Sequence, residues 1–227
     1  MKREVIIACD FSSKEELNNF LANFEGLNPF LKIGMELFYK EGPELIKELK
    51  KKGCKIFLDL KLHDIPNTVH KAMRNIALLD VDITNVHAGG GIKMMQEALA
   101  GLREVNQTTK LIAVTELTSI SQEILTNELH INEPLNDVVK AYATNAKIAG
   151  LDGIVCSPLE APIAKELGII SVTPGIRFAT DSKQDQKRVT TPAMARELGS
   201  TYIVVGRSIT ANADPRAAYL ECVKEFE

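Results

Sequence analysis

The stretch Ile56-Phe-Leu-Asp59-Leu-Lys61-Leu-His-Asp64-Ile-Pro66-Asn-Thr68 reads as a strand that runs into a helix. Ile56, Phe57 and Leu58 are apolar without alternation, the pattern of a strand covered on both faces. Pro66 cannot donate to a ladder, so the strand ends before it. Proline suits a first helical turn, and Val69, Met73, Ile76 and Ala77 then recur at helical spacing. Between strand and helix stand three groups of opposite sign, Asp59, Lys61 and Asp64. Burying an unpaired charge is costly. Alternation along a strand places Asp59 and Lys61 on the same side. This stretch alone leaves two readings open: a solvated strand end with an incidental ion pair, or charges assembled for a purpose.

The same strand-then-helix unit recurs along the chain. Further strands are expected at Val5–Asp10, Phe30–Gly34, Val81–His87, Leu111–Thr115, Gly153–Cys156, Ile169–Thr173 and Tyr202–Val205. A first helix follows Ser12 or Ser13, either a plausible N-cap, and carries Leu17, Phe20, Leu21 and Phe24. Gly42-Pro43 opens a helix that Gly53 ends. A helix after Ala88-Gly-Gly-Gly91 runs to about Val105, the connection from 119 to 150 holds two helices, another covers Pro158–Leu167, and a last one covers Ala217–Phe226. Eight such units in one chain of this size predict a single (β/α)₈ barrel, the TIM-barrel architecture, over residues 1–227. A doubly wound open sheet would carry a Gly-rich fingerprint after its first strand, where this chain has Asp10-Phe11-Ser12.

Composition narrows the function classes. With 45% apolar and 25% charged residues, the chain falls among globular enzymes rather than disordered proteins. A net charge of −3 gives no pull toward nucleic acid or an anionic membrane. No apolar run approaches the ~20 residues needed to span a bilayer, and Val5–Cys9 is too short for a signal peptide, so a cytoplasmic location is expected. Cys9, Cys54, Cys156 and Cys222 form no C-x-x-C pair and are expected as structural thiols without disulfides. His63, His70, His87 and His130 form no ligand cluster in sequence, and no metal site is expected. His63 reads as a packing residue; for His87, at a strand end, packing and chemistry both stand.

In a barrel the site lies at the carboxyl ends of the strands. Those ends carry Asp10, Asp59, Lys61, His87, Thr115 to Thr118, Thr173-Pro174-Gly175-Ile176-Arg177 and Gly206-Arg207-Ser208, with Lys32 inside the second strand. Charges from separate strands thus converge on one rim, which favours the purposeful reading of Asp59 and Lys61. Gly206 lets backbone N–H groups approach an anion, and Arg207 and Arg177 add forks of donors, so phosphate binding is expected after strands seven and eight. The polar segment from Phe178 to Val189 suits a lid over that phosphate, or a plain solvated loop.

This combination resembles the orotidine 5′-phosphate decarboxylases. Asp59-Leu-Lys61-Leu-His-Asp64-Ile-Pro-Asn-Thr68 matches their D-x-K-x-x-D-I-P-N-T signature. Asp10, Lys32 in Leu-Lys-Ile-Gly, Leu117-Thr118-Ser119, Thr173–Arg177, Asp185-Gln186-Lys-Arg-Val and Val205-Gly206-Arg207 match further motifs, so the likeness covers nearly the whole chain. The resemblance implies a cofactor-free decarboxylation of orotidine 5′-phosphate. It implies an alternating charge array of Lys32, Asp59, Lys61 and Asp64, with Lys61 the proton donor. It implies a homodimer in which Asp64, Ile65 and Thr68 serve the neighbouring site. Asp10 and Lys32 would hold the ribose, and Thr118 would meet the pyrimidine. Arg177, Gln186, Gly206 and Arg207 would hold the phosphate, with Pro174 beside the substrate. The nearest rival is a magnesium-dependent sugar-phosphate decarboxylase or synthase that shares D-x-K-x-x-D.

Overall fold

The computed structural model describes residues 2–178 and 190–227. Eight parallel strands close into a barrel in chain order: β1 (Glu4–Ala8), β2 (Phe30–Gly34), β3 (Lys55–Leu62), β4 (Ile83–His87), β5 (Lys110–Val114), β6 (Gly153–Val155), β7 (Ile170–Ile176) and β8 (Tyr202–Val205). β8 pairs back onto β1. Between and after them lie α1 (Lys14–Leu21), α2 (Met35–Lys51), α3 (Pro66–Ala77), α4 (Gly91–Arg103), α5 (Gln122–Asn127), α6 (Leu135–Ile148), α7 (Ala161–Leu167), α8 (Pro192–Glu197), α9 (Arg207–Thr210) and α10 (Pro215–Phe226). The expected (β/α)₈ barrel is the fold found.

The lack of alternation in the strands has a direct cause. One set of strand residues, including Ile6, Phe30, Phe57, Ile83, Ile112, Val172 and Val204, packs together inside the barrel. Their neighbours Ile7, Leu31, Ile56, Leu58, Leu111 and Ile203 pack outward with the helices. Both faces of each strand are therefore apolar. Aspartates tie the amino-terminal rim. Asp82 Oδ2 accepts the Ile56 N–H at 2.8 Å and the Lys50 ammonium at 2.8 Å. Asp152 Oδ2 does the same for the Leu111 N–H at 2.8 Å and for Arg103 at 3.4 Å. The opposite rim is left for other work.

Some boundaries differ from the sequence reading. Ser13, not Ser12, caps α1, accepting the Glu16 N–H. α2 starts at Met35 and kinks at Gly42, whose φ of +72° is left-handed. Gly34 caps it without a side chain, so nothing in the sequence marks that start. β7 continues through Pro174 to Ile176. Thr173 pairs with Ile203 and Ile176 with Val205, so the proline sits in an irregular step where no ladder bond is asked of it. All four cysteines are buried free thiols.

α3 and α4 pack closely. A Cβ on Gly101 would collide with the carbonyl oxygen of His70, which is backbone and cannot swing aside. Gly101→Ala should therefore destabilise the fold by about 1–3 kcal/mol, a loss of roughly 2–4 °C in melting temperature per kcal/mol. An unchanged thermal melt would show that the two helices part without cost.

Candidate active site

The site is built on an irregularity in β3. Against β4, Leu58 pairs with Thr84 and Leu62 with Val86, so β3 uses four steps where β4 uses two. Asp59, Leu60 and Lys61 bulge opposite the single residue Asn85. Lys61 sits at φ +50°, a left-handed conformation that costs a non-glycine residue about 1–3 kcal/mol. Asp59 and Lys61 do meet, as expected, but a bulge and a left-handed residue bring them together rather than plain alternation.

Asp59 is the centre of the array. It is 7% exposed. Its Oδ1 accepts the Lys61 ammonium at 2.7 Å and the Asn85 amide at 2.7 Å. The Lys32 ammonium lies 3.6 Å from Oδ2 and donates to Asp10 Oδ1 at 3.0 Å. Asn85 Oδ1 accepts the Lys61 backbone N–H at 2.8 Å. Burial alone would raise the Asp59 carboxyl. The charges of Lys32 and Lys61, with hydrogen bonds from Lys61 and Asn85, outweigh it and hold the group below the usual carboxylate range. Burial likewise opposes the charge on Lys32, and Asp59 and Asp10 overcome it, holding the ammonium above its usual value.

Lys32, Asp59 and Lys61 form a wall between two hollows, each of about 230 Å³. One is lined by Thr118 and Pro174 and by apolar Phe57, Val114, Val155 and Val204. The other adds Cys9, Asp10, Gly34 and Met35. A flat, largely apolar group with a polar edge fits the chemistry of the first, and a hydroxyl-bearing group that of the second.

Among the described residues, the remaining sequence candidates line neither hollow. Asp64, Ile65 and Thr68 are exposed at the start of α3, and Ile65 is 66% exposed. Asp64 accepts the Ile65 N–H at 2.6 Å, and no ion pair joins it to Lys32, Asp59 or Lys61 among the described residues. Arg177 follows β7, its backbone N–H donating to Thr190. Gly206 follows β8 and caps α9, which Arg207 begins on the same rim. Gln186 and the segment 179–189 lie outside the described residues, while Phe178 is buried in the core. His87 stacks on His63 with ring centroids 5.5 Å apart and accepts the Gly89 N–H on Nδ1. Burial, and then the charges of His63 and Lys61, lower its pKa. Asn85 is the site residue that the sequence reading missed. An asparagine is poorly suited to a strand and costly in a fully buried one, and that mismatch was the available signal.

The family model for "Orotidine 5'-phosphate decarboxylase / HUMPS family" matches residues 3–222, which spans every strand of the barrel. The chain belongs to this family. Orotidine 5'-phosphate decarboxylases of Bacillus cereus (strain Q1) and Bacillus cytotoxicus are 53% and 54% identical to it, each covering all of this chain and 98% of its own length. The crystal structure of orotidine 5'-phosphate decarboxylase from Lactobacillus acidophilus superposes with a TM-score of 0.88 at 44% identity, over the whole of both chains. An uncharacterized conserved protein from Geobacillus kaustophilus also scores 0.88, at 44% identity over 98% of this chain. Among the described residues, no helix is long and apolar enough to cross a membrane.

The depressed Asp59 carboxyl fixes the sign of a pH effect. A group whose folded pKa lies below its unfolded one stabilises the fold above the unfolded value, ~3.9 for aspartate, and loses that contribution as pH falls through the folded value. The stability difference between the native protein and Asp59→Asn, read from urea midpoints, should therefore shrink on acidification below about pH 4. A difference that grew instead would reverse the sign of the assigned shift.

Proposed function

We propose that Lys61 stabilises and then protonates the carbanion formed when this chain converts orotidine 5′-phosphate to uridine 5′-phosphate and CO₂, the last step of de novo pyrimidine biosynthesis. The bond between pyrimidine C6 and the carboxylate breaks with its electron pair left on C6. No adjacent carbonyl can take that charge. The Lys61 ammonium supplies a fixed cation and the proton that ends on C6, and its amine is reprotonated from solvent. The observation that carries this reading is the Lys61 ammonium, tethered 2.7 Å from Asp59 beside an apolar hollow.

Magnitudes indicate what else is needed. One charge pair at about 4 Å and an effective dielectric of ~20 contributes roughly 4 kcal/mol. Enzymes typically supply about 8–23 kcal/mol. The remainder falls to the preorganised array and to binding energy from the phosphate. In this reading Arg177, Gln186, Gly206 and Arg207 hold the phosphate, Asp10 and Lys32 the ribose, and Thr118 the pyrimidine, with Pro174 at its edge. Asp59 would face the substrate carboxylate and repel it until CO₂ leaves. A homodimer completes the array, with Asp64, Ile65 and Thr68 entering the neighbouring site; their exposure supports this, as does the lack, among the described residues, of an ion pair between Asp64 and Lys32 or Lys61. The whole chain then acts as one catalytic domain that works in the cytoplasm without a cofactor.

The deciding experiment follows the absorbance of orotidine 5′-phosphate in the presence of EDTA. Undiminished turnover is expected. Activity lost in EDTA would favour the magnesium-dependent sugar-phosphate branch of the family, and no turnover at all would sink the assignment. Lys61→Ala should lower turnover by at least ~10³-fold, since it removes both the acid and the fixed cation, yet still bind uridine 5′-phosphate. Mixing Lys61→Ala with Asp64→Ala subunits should restore partial activity, because one composite site in each mixed dimer is whole. No restoration after demonstrated subunit exchange would place Asp64 in its own subunit's site.

A further inference from the structure

We infer that Asn85 is a positioning residue for the decarboxylation, locking the Asp59 carboxylate and the Lys61 backbone into one rigid unit. This rests on the reading that Asp59 and Lys61 carry the reaction. The bulge in β3 breaks the ladder to β4 between Leu58 and Leu62, and Asn85 is the β4 residue opposite the break. Its side chain takes over what the ladder no longer supplies. Oδ1 accepts the Lys61 N–H at 2.8 Å, and Nδ2 donates to Asp59 Oδ1 at 2.7 Å.

The amide can sit only one way. Turned over, it would set its NH₂ against the Lys61 N–H and its oxygen against the Asp59 carboxylate. Asn85 is fully buried at 0% exposure, so no water can take its place without a cavity opening. Lys61 sits in a conformation that its backbone does not prefer, and the Asn85 bond is a fixed contact that holds it there. Asp59 Oδ1 has two donors, Lys61 Nζ and Asn85 Nδ2. Without the amide the carboxylate is held only by the two flexible lysine side chains, and the position of the Lys61 ammonium loosens with it.

Thr84, the preceding residue, provides the contrast. It is equally buried, and its hydroxyl donates to the Leu58 carbonyl at 3.1 Å, before the bulge begins. Thr84 clamps strand to strand, whereas Asn85 clamps strand to charge array. The titratable groups around this point are Asp10 after β1, Lys32 on β2, and Asp59 and Lys61 on β3; His87 ends β4 within the field of Lys61.

The test compares Asn85→Ala, Asn85→Asp, Thr84→Val and Lys61→Ala in the intact enzyme, reading kcat, KM, pH profiles and affinity for uridine 5′-phosphate. Asn85→Ala should lower kcat by about 10–100-fold, with KM and nucleotide affinity within about threefold. The acid limb of its kcat/KM profile should move upward, because Asp59 has lost a donor. Asn85→Asp keeps the shape and the acceptor for the Lys61 N–H. Ionised, it opposes Asp59; protonated, it donates as the amide does. Its deficit relative to the native enzyme should therefore shrink as pH falls. This isosteric variant decides the matter if the alanine variant fails to fold. Thr84→Val should lower the melting temperature and leave kcat unchanged. Native kcat and pH profile in Asn85→Ala, a deficit in Asn85→Asp that ignores pH, or an equal loss of kcat in Thr84→Val would each overturn the inference. Full turnover in Lys61→Ala would instead remove the reading beneath it, and the inference with it.

Discussion

The Asp59 carboxylate between the Lys32 and Lys61 ammonium groups is the interaction on which the rest of the site depends. Three ionised groups cannot be withdrawn from water singly, since each carries a desolvation penalty of several kcal/mol. Arranged with alternating sign they offset one another. Burial pushes Asp59 and Lys32 toward neutrality, and each is held charged by the other. Removing Asp59 would leave two cations facing each other over an apolar hollow. The array needs groups from separate strands at fixed separations, which a barrel rim provides: Lys32 from β2, Asp59 and Lys61 from β3, and the Asn85 brace from β4.

That arrangement is made at the expense of local regularity. A bulged strand, a lysine in the left-handed region and a fully buried asparagine each depart from the regular apolar ladder that makes up most of the barrel. Such violations are expected where function, rather than folding, selects the residue. The opposite rim shows the other regime. There Asp82 and Asp152 accept backbone N–H groups of neighbouring strands and pair with Lys50 and Arg103. Those contacts tie the strand starts together and leave the strand ends to bear the strain.

The barrel was legible in the sequence because burial on both faces of a strand removes alternation, and eight unalternating runs separated by helical periodicity leave few other folds. The pairing of Asp59 with Lys61 was legible too, although the period-two argument reached it without the bulge that produces it. A bulge leaves no composition signal here: the run Asp59-Leu60-Lys61 looks like ordinary strand. The start of α2 was not legible, because Gly34 caps it with no side-chain bond. α9 is a four-residue helix, too short to show a period. Asn85 was hidden because its importance lies in what stands opposite, and sequence order places β4 well away from the residues it braces. Asp64 illustrates the same limit: spacing marks it as part of a motif, while one chain's geometry leaves it facing outward.

Two irregular steps mark the mouth of the barrel, in β3 at Asp59–Lys61 and in β7 at Pro174–Gly175. In an eight-stranded closed barrel these strands stand four apart, on opposite walls. Asp59, Lys61 and Pro174 all line the same hollow. A regular ladder would aim Asp59 and Lys61 to the same side but a full two-residue rise apart. The bulge, with Lys61 in the left-handed region, bends β3 there and re-aims the two charged side chains so that they meet, while the lower strand keeps its packing. On the far wall the step at Pro174 removes a ladder donor where a ladder bond is already absent, and it brings a rigid apolar ring to the hollow instead. The regular lower barrel and the irregular upper rim thus divide the labour. The lower part is stable because it repeats. The upper part can act on a substrate because it departs from the repeat on both sides of the cavity.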